Sequence, residues 1–477
     1  MLKKSRFISC VRISAKSGLN VDFLQRMICE KLPPPKNIEP QYEEKESKLN
    51  NKYLRIRDKA LKDNNEVILA YIFDSWFEPN NGVFFLVKLS MGVIRAGLTM
   101  RVSNLENEAY EVKEVGMFVP NKEKTLEIPE GTVGYVHCKI KDPSVCVQSL
   151  GETLMTLQPK LLPLPRPDKP KAVVYASIFP SNMGDYDVFM KSVYKILLED
   201  PAIVFAKDAS VGLGNGIRCG FLGELHLEVF RQRLLDDFEI NTICTPPTVE
   251  YQVIINKKKI FVRNAAELNN YQNQRKDYLE PYVKLYIFTR TGDDSNIYQL
   301  IDARRGKVTE LVQISKNQIK ITSEIPLAEI IEDFNNELKS LTNGYGSFDY
   351  EHLDYRRADV DILKITVMDD DVDAFKFIVH KKKAYDIGKK LCLAFKENLS
   401  RQVFNVVIRA VIGNRIIAKE EIKAYRKDVT AKCYGGDYSR KKKLLERQKE
   451  GKERLREFGS VKVSATAINK IFKSISN

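Results

Sequence analysis

Twice in this chain the hydrophobic pattern runs strand, helix, strand, strand, helix, strand, and few folds accept that order. The first run opens with AVVYASIFP from Ala172, a strand by its β-branched and aromatic content. DYDVFMKSVYKILLED follows, with Val188, Val193, Ile196 and Leu197 at helical spacing. AIVFAKD and IRCGF read as two strands. LGELHLEVFRQRLLDDF reads as a helix with Leu222, Leu225, Val229 and Leu234 inward, and INTICTPPTVEYQVII as one closing strand. The second run uses YVKLYIFT, a helix over NIYQLIDARRG, and the strands TELVQIS and QIKITSEIPL. AEIIEDFNNELKSLTNG then forms a helix ending at Gly344, and GSFDYEHLDYR a last strand. Each run matches the split βαβ, or ferredoxin-like, unit.

The rest of the chain is organised around these two units. Residues 53–162 carry only short β-rich runs, such as VILAYIFDSWF and GVFFLVKLS, parted by turns such as EPNNG, so a small closed barrel is expected. PKLLPLPRPDKPK is a proline-rich connector and hence a boundary. At the N-terminus FISCVRISAK is a strand. The following helix has Val21, Leu24, Ile28 and Leu32 on one face, and PPPK ends it. One strand and one helix cannot bury a core alone. After Ala358, ILKITVM and VDAFKFIV flank an acidic turn. AYDIGKKLCLAFKENL is a helix on Ile387, Leu391, Phe395 and Leu399, and a hairpin turns at Gly413-Asn414.

Charge narrows the partner. The chain carries 77 basic against 63 acidic residues, a net +14 that suits a polyanion, either nucleic acid or an acidic membrane surface. No run of apolar residues is long enough to cross a membrane, which leaves peripheral association open. Eight cysteines form no CxxC pair and only four histidines are present, so no metal site is expected. The scattered cysteines fit a reducing compartment.

The segment from Ile422 to Arg447 holds nine basic residues against three acidic ones, a local +6. Arg426, Lys427, Lys432, Arg440, Lys441, Lys442, Lys443 and Arg447 would neutralise phosphates. Tyr434 and Tyr438 could stack on unpaired bases, and Gly435 and Gly436 would let backbone approach RNA closely. Cys433 has no partner for a metal, and no base or pocket is apparent for catalysis, so no catalytic residue is assigned. Beyond Arg447 alternating signs, with Glu450 and Arg454 four apart, indicate an exposed helix. Two further stretches carry two readings each. VGLGNGIRCGFLG is either a flexible hairpin or a place where Arg218 and the next helix N-terminus meet RNA phosphate. His380 with Lys381 and Lys382 is either a solvated loop or a basic knob facing RNA. MDDDVDA reads as a solvated turn rather than a metal site, and His226 as a structural histidine.

FDSWFEPNNGV, IRCGFLGELHLE, IPLAEIIEDFNNELKSLTNGYGSFDYE, FIVHKKKAY and AVIGNRIIAKEEIKAYRKDVTAKCYGGDYSRKKKLLERQKEGKERL together resemble the LepA family, also called elongation factor four. GELHLE alone would be shared with elongation factor G. The resemblance implies a translational GTPase using GTP and Mg in its full-length members. It also implies a multidomain α+β fold: a β-barrel, two ferredoxin-like α/β domains and a family-specific α+β C-terminal domain.

Ser14, Ala15 and Lys16 resemble the last GTPase motif, which backs the guanine base. No GxxxxGK[ST] phosphate loop and no NKxD motif stand in the chain. The expected division is therefore 1–36 as the end of a G domain, 37–52 as linker and 53–162 as barrel. Residues 170–256 and 279–357 would be the ferredoxin-like domains, and 358–477 a domain that binds tRNA or other RNA. The implied function is ribosome binding that promotes back-translocation or rescue of stalled ribosomes, maintaining fidelity. The partners would be ribosomal RNA and tRNA, and the protein would be monomeric. The alternative is a G-domainless RNA-binding module. This chain is expected to bind no cofactor and to hydrolyse no GTP alone. A mitochondrial matrix or other organellar location is expected, with a bacterial cytoplasm as the alternative.

Overall fold

The structure is a computed structural model that describes residues 11–32, 67–105, 108–157, 163–166, 170–210, 212–271, 274–331, 333–431, 438–458, 461 and 463–476. The chain divides into two compact units, Met1–Pro167 and Asp168–Asn477.

In the first unit, Asn20 in the left-handed conformation opens the helix α1, Val21–Lys31. None of its residues is buried, and Ile28 and Leu32 on the expected apolar face are exposed. The strands are β1 (Leu69–Glu78), β2 (Gly82–Met91), β3 (Ile94–Arg95), β4 (Thr99–Val102) and β5 (Tyr110–Val119). They continue as β6 (Asn121–Thr125), β7 (Glu127–Ile128), β8 (Val133–Cys138) and β9 (Thr153–Thr156). The order β4-β9-β1-β2-β8-β5, with β5 returning to β4, closes the expected barrel. Closure removes sheet edges and lets Ile72, Phe85, Val87 and Val136 fill the interior. The EPNNG turn demands its glycine: Gly82 has φ +101, and a Cβ there would stand 2.2 Å from the Ile140 carbonyl oxygen.

The second unit opens with β10 (Val174–Pro180), α2 (Tyr186–Glu199), β11 (Val204–Ser210), β12 (Gly214–Phe221), α3 (Glu224–Asp236) and β13 (Thr242–Cys244). Its antiparallel order, β11-β12-β10-β13, is the ferredoxin-like one. Two details differ from the sequence reading. The closing strand breaks at Thr245–Thr248, because Pro246 and Pro247 lack the amides a ladder needs. Its second half, β14 (Tyr251–Ile255), pairs instead with β15 (Lys258–Val262) and with the next sheet. Leu222 precedes α3 and is exposed, as are Leu225 and Val229 within it, and Leu227, Phe230 and Leu234 are buried. This helix has apolar residues on both sides. The side carrying Phe230 wins because that ring packs on Phe221 of β12, with centroids 5.4 Å apart.

The second ferredoxin-like unit comprises β16 (Lys276–Arg290), α4 (Asp294–Ala303), β17 (Lys307–Ser315) and β18 (Gln318–Pro326). It ends with α5 (Ala328–Ile331), α6 (Phe334–Leu341) and β19 (Ser347–Arg357). The expected single helix after β18 is thus two, parted where Asp333 takes φ +55. Last come β20 (Val360–Val367), β21 (Asp370–His380), α7 (Ala384–Asn398), β22 (Val406–Ile412) and β23 (Arg415–Ile422). Their sheet runs β21-β20-β22-β23. The β22–β23 hairpin turns at Gly413-Asn414 as read, with Ile412 opposite Arg415. The acidic turn between β20 and β21 is solvent-exposed at Asp369, Asp370 and Asp371, as read, and its carboxylates are also tied locally: Asp371 and Asp373 pair with Lys376, and Asp369 with Arg409.

Two helices complete the chain, α8 (Tyr438–Phe458) and α9 (Ala465–Ser476). The sequence reading assigned no element to α9. Ile468, Ile471 and Phe472 of α9 share one core with Phe375 and Phe395 of the last sheet and its helix, and with Phe179, Leu213 and Ile243 of the first ferredoxin-like sheet. The Phe472 ring stacks on Phe375 at 4.5 Å. One short helix therefore packs against a strand residue, Phe179, that lies about 290 positions earlier in the sequence. Replacing Ile468, fully buried at this junction, by alanine is expected to cost about 2–5 kcal/mol in denaturant unfolding.

Candidate nucleic-acid interface

The basic segment begins where β23 ends, and its first residues are anchored. Ile422 and Ala424 are buried. The amide of Ala424 donates to Asn405 Oδ1 at 2.9 Å, and that of Tyr425 to the Gln402 carbonyl at 2.9 Å. Arg426 and Lys427 then emerge into solvent, and Tyr425 is exposed. Asp428 accepts from the Thr430 amide and hydroxyl at 2.9 and 2.8 Å. Those bonds, the hydroxyl's first, hold the Asp428 carboxyl below its ordinary range. Lys432, Tyr434, Gly435 and Gly436 lie outside the described residues.

Helix α8 runs back along this anchored segment. Gln448 Nε2 donates to the Lys427 carbonyl at 2.9 Å, and Lys452 Nζ to the Tyr425 carbonyl at 2.7 Å. Lys441, Leu444, Gln448 and Lys452 are half-buried at spacings of three and four, which marks the row facing the support. Tyr438, Arg440, Lys442, Lys443 and Arg447 are exposed on the other faces. From Tyr438 to Arg447 the helix carries five cations and one carboxylate, Glu446. A rigid helix holds these charges in place, so each counterion released on phosphate binding costs little added ordering of the chain.

The other sequence candidates sit differently. Arg218 lies within β12 with its guanidinium turned into the protein. Nη1 donates to Ser177 Oγ at 3.0 Å and Nη2 to Thr248 Oγ1 at 3.1 Å, and Nη2 also donates to the Arg263 carbonyl. In the HKKK run, Lys381 pairs with Asp359 at 2.6 Å and Lys383 with the buried carboxylate of Glu329. Lys382 is exposed. His380 is half-buried, and its Nδ1 accepts from the Lys382 amide at 3.3 Å. Burial, then nearby Arg305, lowers its pKa below the ordinary histidine value. His226 bridges Asp200 Oδ2 at 2.7 Å and the Leu222 amide at 3.2 Å, a structural tie within the first ferredoxin-like unit. Ser14, Ala15 and Lys16 form a surface turn in which the Ser14 amide donates to the Leu19 carbonyl at 3.1 Å and Ser14 Oγ accepts from the Ser17 amide at 3.3 Å.

Sequence reasoning missed Glu329. It lies 5% exposed at the start of α5 and accepts from Arg305 Nε at 2.7 Å as well as from Lys383. Arg305 also grips Glu280 through both terminal nitrogens, at 2.9 and 3.1 Å. No local pattern marks an isolated carboxylate for burial when its cations lie 24 and 54 residues away.

Among the described residues no group of three or more histidine, cysteine, aspartate or glutamate side chains could hold a metal, and no helix is long and apolar enough to cross a membrane. Comparison with known proteins gives two family matches. Residues 277–366 match the elongation factor G C-terminus and residues 367–473 the GTP-binding protein LepA C-terminus. The mitochondrial translation factor GUF1 of Homo sapiens is 37% identical over 98% of this chain and 67% of its own length. Elongation factor 4 of Alkaliphilus oremlandii is 37% identical over 97% of the chain and 72% of its own length. Elongation factor 4 of Mycoplasmopsis pulmonis is 38% identical over 97% and 73%. A solved structure from Thermus thermophilus aligns at 17% identity and TM-score 0.45, over 72% of this chain and 60% of that one.

Two outcomes follow from the buried groups. Glu329→Ala leaves Arg305 to Glu280 alone and releases the part-exposed Lys383, and is expected to destabilise the protein by about 1–3 kcal/mol in urea unfolding. The depressed pKa of His380 means that the unfolded chain takes up a proton there before the folded one does. Its contribution is therefore complete above about pH 6.5 and declines as pH falls below that value. His380→Gln should flatten this part of the stability–pH curve, measured by thermal unfolding from about pH 7.5 to 5.

Proposed function

The chain belongs to the LepA, or elongation factor 4, family of translation factors, and from that membership we propose that it binds ribosomes and there promotes back-translocation or the rescue of stalled complexes. The single observation that carries the RNA-binding part is the exposed cationic face of α8, held on an anchored segment. Arg426, Lys427, Arg440, Lys442, Lys443 and Arg447 would contact phosphates of ribosomal RNA or tRNA, and Tyr438, 80% exposed, would stack on an unpaired base. The HKKK run contributes Lys382, because its neighbours Lys381 and Lys383 are engaged with Asp359 and Glu329.

GTP, with Mg, is the cofactor that the family implies. The residues present do not fit it by themselves. The turn at Ser14–Lys16 offers a wall for a guanine base, but the sequence contains no GxxxxGK[ST] loop to cradle phosphates. We therefore propose that the purified chain does not turn over GTP. A specific, stoichiometric GTPase rate from it would overturn that reading. The organellar location expected from the resemblance stands as a proposal, supported by likeness to a mitochondrial relative alongside bacterial ones.

The ribosome reading has a direct test. Replacing Lys442, Lys443 and Arg447 together by glutamine should weaken ribosome sedimentation binding. It should also make the slope of log affinity against log salt shallower by about 2–3. Unchanged affinity and slope would remove α8 from the interface.

A further inference from the structure

We propose that the β5–β6 hairpin is a charge-gated lid on the barrel: the Lys122 ammonium holds it closed over an aromatic platform, and acylation of that amine releases it.

The platform lies on the outside of the barrel. Strand alternation sends Phe85 and Val87 of β2 into the interior and Phe84 outward. Phe84 is the middle of a row of rings on β1, β2 and β8, where it pairs with Trp76 on one side and His137 on the other. The Trp76 ring stacks on it at 5.3 Å and 10°, and the His137 ring at 4.4 Å and 16°. A ring on an outer face is open to solvent unless something lies over it, and Phe84 is 1% exposed. The cover comes from the hairpin. Phe118 of β5 packs on Trp76 and Tyr135 with centroids 6.0 and 5.8 Å apart, and Lys122 of β6 reaches over Phe84. Gly116 permits this close approach: a Cβ there would stand 2.2 Å from the Glu123 carbonyl oxygen and 2.5 Å from the Tyr135 ring.

The lid is closed by a cation. Lys122 Nζ stands 3.5 Å from the Phe84 centroid, 4.9 Å from that of Tyr135 and 6.0 Å from that of Trp76. It also donates to Glu78 Oε1 at 2.7 Å. That carboxylate is held in place by Trp76 Nε1 at 3.1 Å and Asn81 Nδ2 at 2.8 Å. Ring faces attract an ammonium through their quadrupoles, more strongly as water is excluded. Among the described residues β6 pairs only with β5, so Lys122 supplies the charged tie from the lid to β1 and β2.

Charge is therefore the property on which closure turns. The Lys122 side chain is 29% exposed, within reach of a reagent when the lid opens. With an acyl thioester as donor, the unprotonated Nζ attacks the thioester carbonyl and the carbon–sulfur bond breaks. The thiol leaves, the nitrogen gives its proton to solvent, and a neutral amide remains. This amide has no attraction to the rings or to Glu78, whereas N-methylation would keep the charge.

Trp76 is the single tryptophan of the chain, so its emission reports on the lid without a label. Nε-acetyl-lysine placed at position 122 of the full chain by amber suppression should shift that emission to the red and expose it to acrylamide quenching. Amides of β6 should exchange about tenfold faster by hydrogen-exchange mass spectrometry. Lys122→Gln should do the same, and Lys122→Arg and Nε,Nε-dimethyl-lysine at 122 should keep the wild-type values. Exchange in β9, away from the lid, should be unchanged throughout. Wild-type emission and exchange in the acetylated chain would overturn the proposal, as would opening in Lys122→Arg or a matching rise in β9. No readout involves RNA, so the outcome is separate from that of the ribosome reading.

Discussion

A single buried carboxylate, Glu329, is the point on which the second unit is pinned. It stands at the start of the short helix α5 and receives Arg305 from its own ferredoxin-like unit and Lys383 from the turn that begins α7. Arg305 is in turn fixed by Glu280 on β16. Removing charges from water is expensive, and only close pairing with good geometry recovers that cost. Such a cluster tolerates few arrangements of its elements. It complements the apolar junction at α9, where dispersion and burial are strong but less directional.

This cluster also changes how the basic residues divide. Lysines at 381 and 383 look identical to a solvated or RNA-facing run when read in sequence, yet both are drawn into pairs with distant acids. Arg218 is likewise withdrawn into the interior of its sheet. A dense group of projecting cations stands on α8, which is tied to the anchored segment by Gln448 and Lys452 through backbone carbonyls. Net charge alone cannot make this distinction, because a paired and an unpaired lysine contribute equally to it.

Much of the architecture was legible because burial leaves a period in the sequence. Alternation at Phe404, Val406, Ile408 and Ala410 marks β22 and its approach correctly, since all four are buried. The order of elements in both ferredoxin-like units is readable for the same reason, and the barrel from its turns. The failures have equally local causes. Leu225 and Val229 of α3 have helical spacing but lie on the side away from the sheet, because a helix with two apolar sides does not say which one packs. The strand through Pro246 and Pro247 breaks because ladder amides, which a hydropathy pattern ignores, are missing there.

By itself, the sequence determined the family, the α+β class, the succession of barrel and ferredoxin-like units, and the concentration of positive charge near the C-terminal end. These depend on local spacing and composition, which are properties of neighbouring residues. Tertiary structure alone decided which charges stay in solvent, which carboxylate is buried to hold them, and that α9 joins a core to elements hundreds of residues earlier. Those outcomes are set by distances between residues far apart in the chain. Both the field around a charge and the contacts of a side chain depend on those distances, and periodicity does not record them.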